Sequence, residues 1–205
     1  SLPDILEELK KLLIQLQTPA YITNSFGDII MANPIYFHIL DIQPQNLNTG
    51  HMLCKFNINR IYYSPEFESL HRMMGETYST FARRRVFLFK SLSLKYRNHW
   101  YFQKLLPELN RFPTFRQYGQ SSSFHNEEIY VLSNKFTITH HRLGQMNFVS
   151  FPIQALTEET DLFLFSYQPL DNLTAKVCTQ LTNELGTQPI KLARWTMPPL
   201  PEFNL

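Results

Sequence analysis

Apolar residues at spacings of three and four open the chain: Leu2, Ile5, Leu6, Leu9, Leu12, Leu13 and Leu16 mark one face of an amphipathic helix over residues 2–17. Pro3 and Asp4 suit its first turn, and Thr18-Pro19 ends it. Two short β-compatible runs follow, Ala20-Tyr21-Ile22-Thr23 and Ile29-Ile30-Met31-Ala32, separated by turn chemistry at Ser25-Phe26-Gly27-Asp28. Asn33 then suits a cap and Pro34 a first helical position, which predicts a short helix over residues 34–40. From about residue 47 to 119 the pattern is helical: a turn or two over 50–57, and a long helix from Ser64-Pro65-Glu66 through Met73, Tyr78 and Phe81 towards Leu88. Shorter helices are expected over 100–109 and 113–118. Strand patterns return at 129–132, 136–140, 146–155 and 161–168. A helix over 174–185 stops at Gly186, and the prolines beyond it predict an extended arm to residue 205.

The order helix, strand, strand, helices, strands, helix predicts an α+β domain. Composition narrows what it does. The 205 residues suit one domain of generous size. Only 18% are charged, while aromatics reach 14%, a surface that must be packed or bound to something. A net charge of +2 is too mild to predict nucleic-acid binding. Cys54 and Cys178 have no metal spacing and read as reduced thiols. No apolar run approaches the ~18 residues of a membrane span, and no signal-peptide pattern precedes the first helix, so a cytoplasmic location is expected. The abrupt helical start suggests a fragment of a longer protein.

Catalytic and metal chemistry find little support. GxSxG, P-loop and GxGxxG patterns are absent, so no enzyme is expected. His140-His141 is the close histidine pair, and adjacent strand residues point to opposite faces. A haem sensor would need a pocket histidine such as His38 or His71. The aromatic-basic stretch 96–104 has helical spacing and reads as a packing segment before a nucleic-acid surface.

The segment AYITNSFGDIIMANPIYFHIL, with its strand, Gly27-Asp28 turn, strand and Asn33-Pro34 helix start, resembles the opening of a PAS fold. More narrowly, the chain resembles the MmyB-like ligand-binding domain found after the helix-turn-helix of xenobiotic-response-element-type bacterial transcription regulators. Thr18-Pro19-Ala20-Tyr21, the stretch LLPELNRFPTFRQYG at 105–119, and GQMNFVSFPIQAL followed by TDLFLFSYQP carry that resemblance. The tryptophans common in the family are replaced here by Gln117-Tyr118 and Met31-Ala32-Asn33.

The resemblance implies a PAS-like five-stranded antiparallel sheet at 18–170, with a long helical insertion between strands 2 and 3 enclosing a pocket for an apolar ligand such as a fatty acid. Residues 1–17 and 171–205 would flank it as dimer or interdomain elements. DNA would be contacted only through a helix-turn-helix outside this chain. The candidate pocket residues are Tyr21, Ile30, Phe37, Met52, Leu53, Phe56, Met73, Tyr78, Phe81 and Trp100, facing Phe136, Ile138, Val149 and Phe151. The same set describes an ordinary filled core, which would make the domain a dimerisation or partner-docking module without ligand. An acidic ligand would want a base, and Arg83, Arg84, Arg85, Arg97 and His99 lie nearest the aromatic helices. Three consecutive helical arginines cannot all face one pocket, so a solvated role is the competing reading.

Overall fold

The computed structural model describes residues 2–49, 52–120, 134–154 and 162–193. Helix α1 (Leu2–Gln15) leads into β1 (Ala20–Asn24), β2 (Ile29–Ala32) and α2 (Pro34–Ile39). The helical insertion contains α3 (Ile58–Tyr63), α4 (Glu68–Met74), α5 (Thr77–Ser93), α6 (Trp100–Leu109) and α7 (Pro113–Gln120), with short 3-10 turns between them. Then come β3 (Lys135–His140), β4 (Gly144–Gln154), β5 (Leu162–Pro169), α8 (Asn172–Leu185) and β6 (Ile190–Lys191). The fold is α+β, and among the described residues six strands form one open antiparallel sheet in the order β3-β4-β5-β1-β2-β6.

The sixth strand corrects the five-stranded expectation. Residues 190 and 191, expected as part of an extended arm, pair with Ala32 and Met31 at the edge of β2. Leu192 and Ala193 continue the contact by donating their N–H groups to Ile30 and Ile29. Pro189 stands just before the strand, where its missing N–H is harmless. The strand pattern at 129–132 lies outside the described residues, as does the arm beyond 193.

Two further differences have local causes. The long helix expected from Ser64 to Leu88 is broken: Ser64 caps a 3-10 turn, Pro65–Phe67, and Gly75, at φ +52°, separates α4 from α5. Periodicity assigns no separate element to residues 58–63, because INRIYY is buried at every position and has no solvent-facing side. They form α3, capped by the Asn57 side chain, which accepts from the Asn59 N–H.

Alternation along the strands divides the apolar residues between two cores. Tyr21, Phe163, Phe165, Tyr167, Phe136, Ile138 and Phe148 belong to the main core beneath the helical insertion. Ala20, Ile22, Ile30, Leu162 and Leu164 belong to a smaller core covered by Leu9 and Leu13 of α1. Helix α8 packs beside α2 and against β4 and β5, and Asp171 caps it by accepting from the Thr174 N–H at 2.8 Å. Among the described residues no helix is long and apolar enough to cross a membrane.

At the turn after β3, His140 is buried and its Nδ1 accepts from the N–H groups of Arg142 (3.1 Å) and Leu143 (3.3 Å). The ring therefore sits neutral. Burial first, then the neighbouring His141, lowers its pKa below the ordinary 6.5, with His38 and Arg142 acting the same way and Asp41 opposing them. A depressed histidine pKa means that the unfolded chain takes up the proton first. Stability is thus whole above about pH 6.5 and falls as the pH drops through the lowered folded value. Melting temperature should fall between neutral pH and pH ~5.5, and His140→Asn, which keeps an acceptor without titrating, should flatten part of that fall. His71, also lowered by burial, should supply the remainder. An unchanged slope in His140→Asn would rule out His140 as a contributor.

Candidate functional site

Helix α5 presents Phe81, Ala82, Arg85, Val86, Phe89 and Ser93 to the core, an i, i+4 and i, i+3 stripe. Arg85 is thereby carried under the sheet with only 8% of its surface exposed. Its two neighbours diverge, as consecutive helical positions must. Arg83 is exposed with its guanidinium 5.7 Å from the Tyr118 ring, and Arg84 is half-buried. The solvated reading holds for Arg83 and fails for Arg85.

The buried guanidinium stands among rings. Its centre lies 5.0 Å from the Phe165 ring, 5.8 Å from Tyr62 and 5.9 Å from Tyr21. Nη1 donates to the Tyr21 hydroxyl at 2.9 Å. The hydroxyls of Tyr62 and Tyr167 are 2.5 Å apart, and that of Tyr36 is 3.5 Å from Tyr62. Burial pushes the pKa values of Tyr21, Tyr36, Tyr62 and Tyr167 up, so these hydroxyls are neutral at ordinary pH and none balances the cation. Among the described residues no carboxylate forms an ion pair with Arg85, and its Nε has no hydrogen-bond partner. A buried charge without a counter-charge is costly, which makes Arg85 a candidate position for an anion.

Two small voids flank this residue, of about 20 and 10 Å³, and both are bounded by Arg85, Leu88 and Phe165. Phe81 and Pro152 complete the apolar part of the first, and Ile58, Phe89 and Leu92 that of the second. A larger open cleft of about 830 Å³ lies elsewhere, between β6 and the 3-10 turns, with Leu53, Phe56, Lys55 and Lys191 on its walls and Asp28 on its floor. There the charge is already answered. Asp28 accepts from Asn57 Nδ2 (2.9 Å), Asn24 Nδ2 (3.2 Å) and the Tyr101 hydroxyl (2.9 Å). Hydrogen-bond accounting therefore singles out Arg85, rather than Asp28 in the bigger cleft, as the buried charge left unanswered among the described residues.

The predicted pocket residues do not converge on one cavity. Tyr21, Phe37, Phe81, Phe136 and Ile138 are buried together in the main core. Met52, Leu53, Phe56, Met73, Tyr78 and Trp100 pack half-buried at its rim. Ile30 lies on the opposite face beneath α1. Val149 and Phe151 correct the expectation too. In β4 they pair with Gln168 and Ser166, the alternate positions to Tyr167 and Phe165, so they face away from the insertion, and Phe151 is 48% exposed. Tyr36, Tyr62, Leu88, Phe165 and Tyr167 carry no local sequence signal for this site, although the spacing of Phe81, Arg85 and Phe89 puts an arginine within an aromatic stripe. No family model matches the chain, and no curated protein matches it.

Proposed function

We propose that this chain is the sensory ligand-binding domain of a bacterial transcription regulator, of the PAS-like MmyB type, and that it takes an apolar carboxylate such as a fatty acid. The observation that carries this reading is Arg85, a buried guanidinium with no anion beside it among the described residues, walled by Phe81, Leu88, Phe89, Leu92 and Phe165. The carboxylate pairs with Arg85 and the acyl chain displaces the side chains that close the voids, gaining about 0.8 kcal/mol per methylene buried. Displacing α5 or α3 in this way biases the domain between two arrangements, as far as the ligand's differential affinity allows. Within this proposal the domain is cytoplasmic and acts as a homodimer, and DNA is touched only by a helix-turn-helix outside this chain.

Arg85→Met tests it. Without ligand the variant should be as stable as the parent or more so, because a buried charge lacking a partner is removed. Dodecanoate binding, followed by calorimetry, should weaken by about tenfold to a hundredfold, the range of one charge-assisted hydrogen bond. Equal dodecanoate affinity in the two proteins would sink the assignment.

The closed state of the core favours a second reading. Voids of about 20 and 10 Å³ hold at most one water-sized group each, as in a docking module with a filled core. That module would carry no extractable lipid by native mass spectrometry and would ignore added dodecanoate.

A further inference from the structure

Three residues that line one void each carry a buried polar atom without a hydrogen-bond partner. The atoms are Arg85 Nε, Ser25 Oγ and Asn59 Oδ1, on residues 8%, 2% and 1% exposed, and the void is the smaller cavity of about 10 Å³. Buried polar groups are nearly always paired, so three around one void describe a binding position.

The orientation of Asn59 is settled by its neighbour. Asn57 Nδ2 donates to the Phe26 carbonyl (2.7 Å), which can never donate in return, and to Asp28 Oδ1 (2.9 Å). Asn57 Oδ1 is therefore the acceptor, and it receives both the N–H (3.0 Å) and the Nδ2 (2.9 Å) of Asn59. This leaves the Asn59 oxygen, an acceptor, as its unpartnered atom. Arg85 Nε can only donate, and Ser25 can do either.

Completing the set takes a single oxygen that donates once and accepts twice. The oxygen of a water or of a ligand hydroxyl does so, donating to Asn59 and accepting from Arg85 and Ser25, and a ligand hydroxyl there takes the place a water would fill. A carboxylate oxygen cannot donate to Asn59, and an ammonium cannot accept from Arg85. The void also has room for only about one such atom.

We infer that the ligand is a hydroxylated carboxylic acid with an apolar tail, its carboxylate on the Arg85 guanidinium and a nearby hydroxyl in the void between Arg85, Ser25 and Asn59. This rests on the reading that an acidic amphiphile binds at Arg85, and it names the chemistry of the polar end. A site built to hydrogen-bond a hydroxyl discriminates against the analogue lacking it, because its own buried groups are then left unpaired.

The test is a calorimetric comparison of dodecanoate with alpha-hydroxydodecanoate and beta-hydroxydodecanoate on the parent protein. At least one hydroxylated acid should bind about tenfold or more tightly than dodecanoate. In Asn59→Leu that preference should vanish, the three acids then binding within about twofold of one another. Equal affinity of all three acids for the parent would overturn the hydroxyl site and leave the carboxylate site standing. No binding of any acid would remove both. A preference that survives in folded Asn59→Leu would place the hydroxyl elsewhere and overturn the inference. Should that variant not fold, Ser25→Ala reads the same void, and an undiminished preference there has the same meaning.

Discussion

Arg60→Met is expected to lower the unfolding free energy by about 3–5 kcal/mol, the range for breaking a buried charge network by removing one partner. Arg60 is 1% exposed, and all five of its N–H groups are used. Nε and Nη2 donate to Glu66 Oε2 at 3.2 and 2.6 Å. Nη1 donates to the carbonyls of Leu47 and Lys55, both at 2.9 Å, and Nη2 also reaches Thr49 Oγ1 at 3.1 Å. One side chain thus ties two 3-10 turns, Pro44–Asn48 and Leu53–Phe56, to α3 and to the Glu66 turn. Methionine fills much of the space and offers no donor, leaving the Leu47 and Lys55 carbonyls unpaired. Arg60→Lys should recover only part of the loss, since an ammonium has three donors and no fork. Urea denaturation measures both variants, and a loss below about 1 kcal/mol in Arg60→Met would show that the turns hold without it.

The contrast with Arg85 separates two uses of a buried arginine. Arg60 meets a saturated set of acceptors that come from its own fold, which is what stability requires. Arg85 meets one tyrosine hydroxyl, three ring faces and no anion among the described residues. The same substitution, arginine to methionine, should therefore destabilise at one position and leave stability intact or improved at the other. Parallel losses at the two positions would argue that Arg85 is structural.

How much of this the sequence carried depends on the range of the interactions. Helix α1, the Gly27 turn, the Asn33 cap and the Gly186 stop were legible because each is written in a few adjacent residues. Asn33, for instance, accepts from the Tyr36 N–H three positions on, at 3.1 Å. Face assignment in β4 was not legible. Residues 146 to 153 are apolar at both parities, and only pairing with β5 decides that Phe148 is in and Phe151 out. Helix α3 was hidden for a related reason, being buried all round. The Arg85 site was half legible: its helical stripe could be read locally, but Tyr62, Phe165 and Tyr167 come from distant elements.

Asn57→Ala should be nearly as damaging as the loss of Arg60, and its cost should depend on pH. Asn57 caps α3, and its Nδ2 holds both the Phe26 carbonyl and the Asp28 carboxylate. The turn it grips is tight: Gly27 stands at φ +82°, and a Cβ there would come within 3.2 Å of Ile58 Cγ2. Losing the cap costs about 1 kcal/mol and each of the two buried acceptors left short of a donor about 1–3 kcal/mol more; because Asp28 keeps Asn24 and Tyr101, the low end of that sum, about 3–4 kcal/mol, is expected at pH ~7.5. Burial already raises the Asp28 pKa above its ordinary 3.8, against the lowering effect of Asn57, Tyr101 and Asn24. Removing Asn57 raises it further. An acid whose folded pKa is raised takes up its proton in the folded state first, so the stability it gains on protonation is present at low pH and lost as the pH rises through that value. The penalty of Asn57→Ala should accordingly shrink between neutral pH and pH ~4.5, while the histidine contributions cancel between the two proteins. Unfolding free energies of parent and variant across that range measure it. A penalty that stays constant would mean that Asn57 works through the helix cap and the Phe26 carbonyl alone, with Asp28 held by Tyr101 and Asn24.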